Sequence, residues 1–469
     1  MGIEFWDDSV WSFVAALTIL LVCMLVANML RDIIKPLKKL MIPSSVLGGF
    51  LILFISFIYK KVTGNDLMNT DLLESLTYHG LGLGFAAMSL RNLDQQNKEY
   101  KGDSFSTALS VVGSYLLQGI LGLLISLGLY KLIGSFFASG LILPMGFGQG
   151  PGQAFNWGRT YENSFGFTDG ASFGLTIAAV GFIASSIGGI IFLNSLRRKH
   201  IIQGEAAEIQ EENLSAQSIT GENEIPLSES MDKLTVQLAL VFGTYALAYL
   251  FMKGVNAIIE TGVMGDFGYN TVQPLIWGFN FLFSSIFGIL VKGVFRKLQQ
   301  KKIIKKEYTN TFMQNRIAGI MFDIMVIASI AAINLSAFTH PNFIIPLLLM
   351  CVIGTVSTFL YLKFFCKRLF PQYENEAFLS LYGMLTGTAS TGVILLREID
   401  PQFKTPAANN LVYQQAWAIL FGAPMLLMMG VAPQSPQKCI IVCILLIVLF
   451  AAINLLAFRK FIFGKKKKK

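Results

Sequence analysis

Charge is what this sequence has least of. Asp, Glu, Lys and Arg make up only 14% of its 469 residues, against about 25% in soluble domains, which excludes an ordinary water-facing surface. Histidine is scarcer still: His79, His200 and His340 stand far apart at the ends of apolar runs, so a histidine-based metal centre is not expected. The five cysteines, Cys23, Cys351, Cys366, Cys439 and Cys443, lie in or beside apolar runs without a CxxC pair. They read as small apolar side chains rather than metal ligands or disulfide partners. No GxxxxGK[ST] motif occurs, so ATP-driven work would need another subunit. No polar stripe at helical spacing is evident, which argues against a channel lined by polar rings. The segment before the first apolar run, "MGIEFWDD", has three acidic residues and no Lys or Arg, unlike the basic start of a cleaved signal peptide.

What is abundant is apolar length. Hydrophobic residues make up 54% of the chain, and "WSFVAALTILLVCMLVANML" (11–30) and "CIIVCILLIVLFAAINLLAF" (439–458) each reach the roughly 20 residues needed to cross a bilayer. Hydropathy places spans near 11–30, 43–60, 75–91, 105–133 and 171–193, then 235–253, 273–295, 315–335, 341–365, 411–432 and 439–463. The fold expected is an all-α polytopic membrane protein of about eleven transmembrane helices. Two further segments, about 138–158 and 375–396, are too broken by Gly, Pro, Ser and Thr to cross alone and read as re-entrant hairpins.

The net charge of +9 does not point to nucleic acid, because the basic residues fall in short clusters between spans. With eleven spans and two hairpins, "RDIIKPLKK" (31–39), "RRKH" (197–200), "KGVFRKLQQKKIIKK" (292–306), "KFFCKR" (363–368) and the closing "KKKKK" all fall on one side. The positive-inside rule then leaves the N-terminus outside and the C-terminus in the cytoplasm, in a bacterial plasma (inner) membrane. The acidic stretch 201–232, poor in aromatics, reads as a cytoplasmic linker too short for an enzymatic domain, and the chain is not expected to be an enzyme. It separates a first transmembrane repeat (1–196) from a second (233–434), with 197–232 as linker and 435–469 as an extra C-terminal helix and basic tail. Each repeat runs four spans, a broken segment and one more span, and the two start on opposite sides, as in the inverted repeats of many secondary transporters.

Non-helical backbone at membrane depth survives only where protein surrounds it or water reaches it. The run "GFGQGPGQAF" (146–155) therefore reads as part of a site. Its glycines permit close approach to the main chain, and a helix restarting after Pro151 would aim its amides at an anion. In "LTGTASTGV" (385–393), hydroxyls and freed carbonyls suit a small cation or the polar groups of an amino acid. Small residues also let helices pack closely, and that reading stays open for each segment taken alone. Arg159 and Arg397 follow the two broken segments, each able either to hold a carboxylate or to snorkel at the interface. Asp323 is the acidic residue well inside a span, where insertion costs roughly 2.5–3.5 kcal/mol, and is a candidate for cation coupling. Gln118, Asn280, Thr355, Ser357, Thr358 and Gln415 either line a path or bond across helices.

These residues resemble the bacterial sodium/glutamate symporter family. Its first re-entrant motif, Gly-His-Gly-Thr-Gly-Ala-Ala leading to a Trp and a cationic residue, is similar to Gly148, Gln149, Gly150, Pro151, Gly152, Gln153 and Ala154, followed by Trp157, Arg159 and "GFTD" (166–169). "IPSSVLGG" (42–49) and "GLGFAAMSLR" (82–91) are similar to its second and third helices. Gly181 and Gly188–Gly189 match its next span, and Gly387 and Thr391 its second hairpin. Gln149 and Pro151 depart from the motif's His and Thr, two extra residues precede Trp157, and the eleventh span is additional. The resemblance implies two inverted five-helix repeats, a homodimer, and Na⁺-coupled uptake of an acidic amino acid, glutamate above all. Na⁺, or alternatively H⁺ through Asp323, is the expected coupling ion, with no other cofactor. The expected substrate-binding residues are Gly148, Gln149, Gly150, Gly152, Gln153, Asn156, Arg159, Thr388, Ser390, Thr391, Arg397 and Gln415. Asp323, Thr386, Gly387 and Gly150 are expected at the cation. The alternative cargo is another organic anion such as a 2-hydroxycarboxylate.

Overall fold

The computed structural model describes residues 6, 8–91, 101–199, 232–304, 306–401 and 404–459; most of the acidic linker and the lysine tail lie outside them. Within these limits the chain is helical, with no strand. The principal helices are α1 (Asp8–Ile33), α2 (Ser44–Thr63), α3 (Thr70–Leu90), α4 (Lys101–Ile133), α5 (Pro151–Phe165), α6 (Gly170–Arg198) and α7 (Lys233–Glu260). They continue with α8 (Asn280–Gln300), α9 (Thr311–Ala331), α10 (Pro341–Leu369), α11 (Glu374–Thr386), α12 (Ala389–Arg397), α13 (Gln415–Met429) and α14 (Pro436–Ala457).

Their ends follow local chemistry. Asn69 accepts the Asp71 amide at 2.8 Å to start α3, and Asp232 accepts the Leu234 amide at 2.9 Å to start α7, both N-cap bonds that occupy otherwise orphaned donors. Pro151, Pro341 and Pro436 open α5, α10 and α14, where a missing N–H costs nothing.

Nine helices among the described residues are long and apolar enough to cross a membrane. Gly265–Gly278 with Asn280–Gln300, bent by 60° at the break between them, makes a tenth if the pair counts as one span; the sequence places a span at 273–295. Pro274 removes a donor in its first turn, and the break falls at Gly278–Phe279. The expected span near 75–91 is the helix α3, which carries Asp71 and Glu74 and does not meet the same criterion. The expected span at 411–432 is interrupted at Gln414, between Ala407–Tyr413 and α13.

The outer surfaces settle the solvent. On α1, Leu25 and Met29 are more than half exposed, as are Ile441, Ile444 and Val448 on α14. Apolar faces this continuous belong in lipid rather than water: this is a multi-pass membrane protein. Burial ranks the spans in turn. Only 17% of the apolar window of α1 is covered, against 72% for α4 and 67% for α6, so α4 and α6 are central.

The chain forms two compact units. One contains α1, α2, α4–α6 and everything from Ser329 onward; the other contains α3, α7, α8 and α9 as far as Ala328. This spatial division does not follow the expected sequential boundaries, because α3, from the segment 1–196, groups with helices from the segment 233–434. In that second unit, Leu83, Ala86, Ala87 and Leu90 of α3 pack with Val241, Ile317 and Ala318, and Asn280 Nδ2 donates to the Tyr78 carbonyl at 3.0 Å.

One expectation is corrected in α4. Ser104, Thr107, Ser110, Ser114 and Gln118 are all buried and recur at helical spacing, so a polar stripe does exist. Thr107, Ser110 and Ser114 donate to the carbonyls of Asp103, Ser106 and Ser110 on their own helix at 2.8–3.0 Å, which satisfies the hydroxyls locally.

Candidate functional site

Both broken segments are helix–break–helix elements, and both belong to the first unit. In the first, a 3₁₀ turn (Ser139–Leu141), a short helical piece (Ile142–Pro144) and a π turn (Met145–Gln149) lead to Gly150, after which α5 begins. Gly150 sits at φ 86°, ψ −178°, a conformation essentially reserved for glycine. In the second, α11 ends at Thr386, Gly387 turns at φ −131°, ψ −102°, and α12 begins after Thr388.

The two breaks meet. A Cβ built on Gly150 would lie 3.3 Å from Thr388 Cγ2 and 3.9 Å from the Gly387 carbonyl oxygen. Each tip joins the C-terminal end of one short arm to the N-terminal end of the next. Two positive and two negative helix ends therefore converge, each worth about half an elementary charge.

Neighbouring spans hold the tips in place. Tyr115 of α4 donates to the Gly148 carbonyl at 3.0 Å. One turn on, Gln118 Nε2 donates to the Leu385 carbonyl at 3.0 Å and to Thr358 Oγ1 at 2.8 Å. One helix thus binds the ends of both first arms. On α6, a Cβ at Gly181 would collide with the Thr386 carbonyl oxygen, so only glycine lets the second tip reach that depth. Tyr382 of α11 donates to the Ala184 carbonyl at 3.1 Å, and Ala171 at the start of α6 donates its amide to Glu162 Oε2 at 3.0 Å.

Inside this frame the polar groups are few. Gln153, in the first turn of α5, is 1% exposed, and neither its amide nitrogen nor its amide oxygen has a hydrogen-bond partner. The first-turn amides of Gly152 and Gln153 have no partner within the helix either, as at any helix start. Thr388 and Thr391 face each other at 3.3 Å between hydroxyl oxygens, and Thr391 is fully buried. A buried amide with both halves unmatched costs about 1–3 kcal/mol, which a ligand offering one donor and one acceptor would recover.

The expected site residues divide accordingly. Gly148, Gln149, Gly150, Gly152, Gln153, Gly387, Thr388 and Thr391 lie at or next to the meeting tips. Thr386 is there too, but its hydroxyl donates to the Tyr382 carbonyl at 2.7 Å. Ser390 is exposed, Asn156 is buried further along α5, and Gln415 is half-buried at the start of α13. Arg159 lies nine residues beyond Gly150, about 13 Å along the helix, and pairs with Glu162 at 3.1 Å. Arg397 is exposed in the last turn of α12. Asp323 is exposed on α9, in the second unit. Both arginines thus stand about nine residues along a helix from their tips, while backbone dipoles, hydroxyls and the Gln153 amide lie at or next to them. No group of three or more His, Cys, Asp or Glu residues forms a metal site among the described residues.

Just past the C-terminal end of α12, Glu398 pairs with Arg197 at 3.5 Å. Burial raises the Glu398 carboxyl above its usual range, and the Arg197 charge offsets that only in part.

The main residue missed by sequence reasoning is Tyr115. Its signal is its position three residues before Gln118, on the edge of the polar stripe of α4.

No family model and no curated protein matches this chain.

Proposed function

We propose that the chain is a secondary active transporter that carries a small carboxylate, glutamate or a similar acidic amino acid, in symport with Na⁺. The observation that carries the reading is the meeting of Gly150 with Gly387 and Thr388. Broken backbone inside a membrane protein is tolerated at a cavity or a buried site, and helix N-termini that converge there favour an anion. The helix C-termini and the Thr388–Thr391 hydroxyl pair suit a small hard cation. Glutamate and Na⁺ as the specific pair rest on the resemblance of residues 148–154 and their surroundings to the sodium/glutamate symporters, as does assembly as a homodimer. The basic clusters favour a cytoplasmic C-terminus.

A second reading, a 2-hydroxycarboxylate or another organic anion as cargo, is favoured by Gln149, Pro151 and Gln153 standing where the family motif has other residues.

Uptake into proteoliposomes tests both. An inward Na⁺ gradient is expected to drive accumulation of labelled glutamate at least about tenfold over a K⁺ control, the factor given by about 1.4 kcal/mol of coupling. Glutamate counterflow unaffected by Na⁺ replacement would refute the coupling. Stronger competition by malate or citrate than by unlabelled glutamate would move the cargo to the second reading.

A further inference from the structure

α10 carries an exposed apolar row that ends in cations. Val352, Val356, Leu360 and Phe364 follow one another at four-residue intervals, and each is at least half exposed. Arg368 is the next member of the same row. Lys363, Lys367 and Arg368 are all exposed, and with Leu360 and Phe364 they line an open groove of 520 Å³. The Arg368 guanidinium carbon lies over the Phe364 ring, 3.6 Å from its centroid, while Phe364 also packs edge-on to Phe458 at 6.0 Å.

The helix dipole favours cations in a last turn, but it does not favour three of them beside one another. Lys363 and Lys367 are four residues apart, a like-charge pair that repels, and among the described residues no carboxylate forms an ion pair with any of the three. Held over this ring, Arg368 is fixed in direction with its donors left over. From Val356 to Arg368 the row runs about 18 Å, close to half of the roughly 30 Å hydrocarbon core plus the headgroup level.

We propose that this groove is a binding site for an anionic phospholipid. The phosphate sits among Lys363, Lys367 and Arg368, and an acyl chain lies along Phe364, Leu360 and Val356. Charge complementarity selects the headgroup, and the apolar row selects a lipid over a free anion.

Native mass spectrometry of the full chain in mixed micelles of phosphatidylglycerol and phosphatidylcholine tests this. The expected result is retention of phosphatidylglycerol over phosphatidylcholine by about tenfold or more, lost in the variant Lys363→Gln/Lys367→Gln/Arg368→Gln. A control variant, Lys297→Gln/Lys301→Gln at the end of α8, is expected to keep the preference. The rise in thermal midpoint on adding phosphatidylglycerol should be absent in the triple variant alone. Unchanged retention in the triple variant would overturn the proposal, as would equal loss in the control. Complete displacement of the lipid by millimolar inorganic phosphate would overturn it too, by assigning the site to a free anion.

Discussion

Gly150→Val is expected to abolish substrate uptake and to destabilise the protein by about 2–5 kcal/mol. Two costs combine at this position. The backbone is at φ 86°, where a β-branched residue is strained by about 1–3 kcal/mol. A Cβ there would already stand 3.3 Å from Thr388 Cγ2, and valine adds two more carbons to the same gap. The tips would have to part, and the convergence of helix ends would be lost with them.

Gly166→Val separates the two costs. Gly166 also has positive φ, 73°, with ψ 26° in the left-handed region, and a Cβ there meets nothing within 4 Å, so it carries the cost of a positive φ for a β-branched residue without the intrusion. Uptake per folded molecule, measured in proteoliposomes after sizing by chromatography, should vanish in the Gly150 variant and survive in the Gly166 variant. Equal transport by the two would mean that the contact between the tips is not needed.

Gln153→Leu is expected to do two opposite things. It should raise the stability of the ligand-free protein by about 1–2 kcal/mol, because a buried amide without partners is replaced by an apolar side chain of similar size. It should also weaken substrate binding by at least about tenfold, since the lost NH₂ is a donor for the ligand's carboxylate and the lost carbonyl oxygen an acceptor for its ammonium or hydroxyl. Active sites often hold such a trade between stability and function. Thermal unfolding with and without glutamate and Na⁺ reads both effects in one experiment. A Leu variant that is less stable and binds as before would assign Gln153 to structure.

The spans were legible because a run of about 20 apolar residues is sufficient for a helix in lipid, whatever its neighbours. All eleven expected segments contain helix. The breaks were legible for a related reason: clustered Gly146, Gly148 and Gly150 before Pro151, and Gly387 within its Thr-rich run, weaken a regular helix, and the helices do break at Gly150 and Gly387. That the breaks touch could not be read, because contact depends on how α4 and α6 hold each arm. Tyr115 and Gly181 do this through bonds and spaces that no spacing rule specifies. The arginines show the same limit from the other side. Arg159 and Arg397 follow the tips closely in sequence, yet a helix carries each away from its tip at about 1.5 Å per residue. Asp323 was conspicuous in an apolar run, but the partition of α9 between two units is a property of packing.

The central claim, that the meeting tips form the substrate site, is tested most directly at Thr388. In a background with the five native cysteines replaced, Thr388→Cys is alkylated by a small maleimide with and without saturating glutamate and Na⁺, and Arg397→Cys at the exposed end of α12 serves as reference. Slowing of alkylation by about tenfold or more at position 388, with no change at 397, is the result the account predicts. Equal rates with and without substrate at position 388, in protein that still transports, would contradict it.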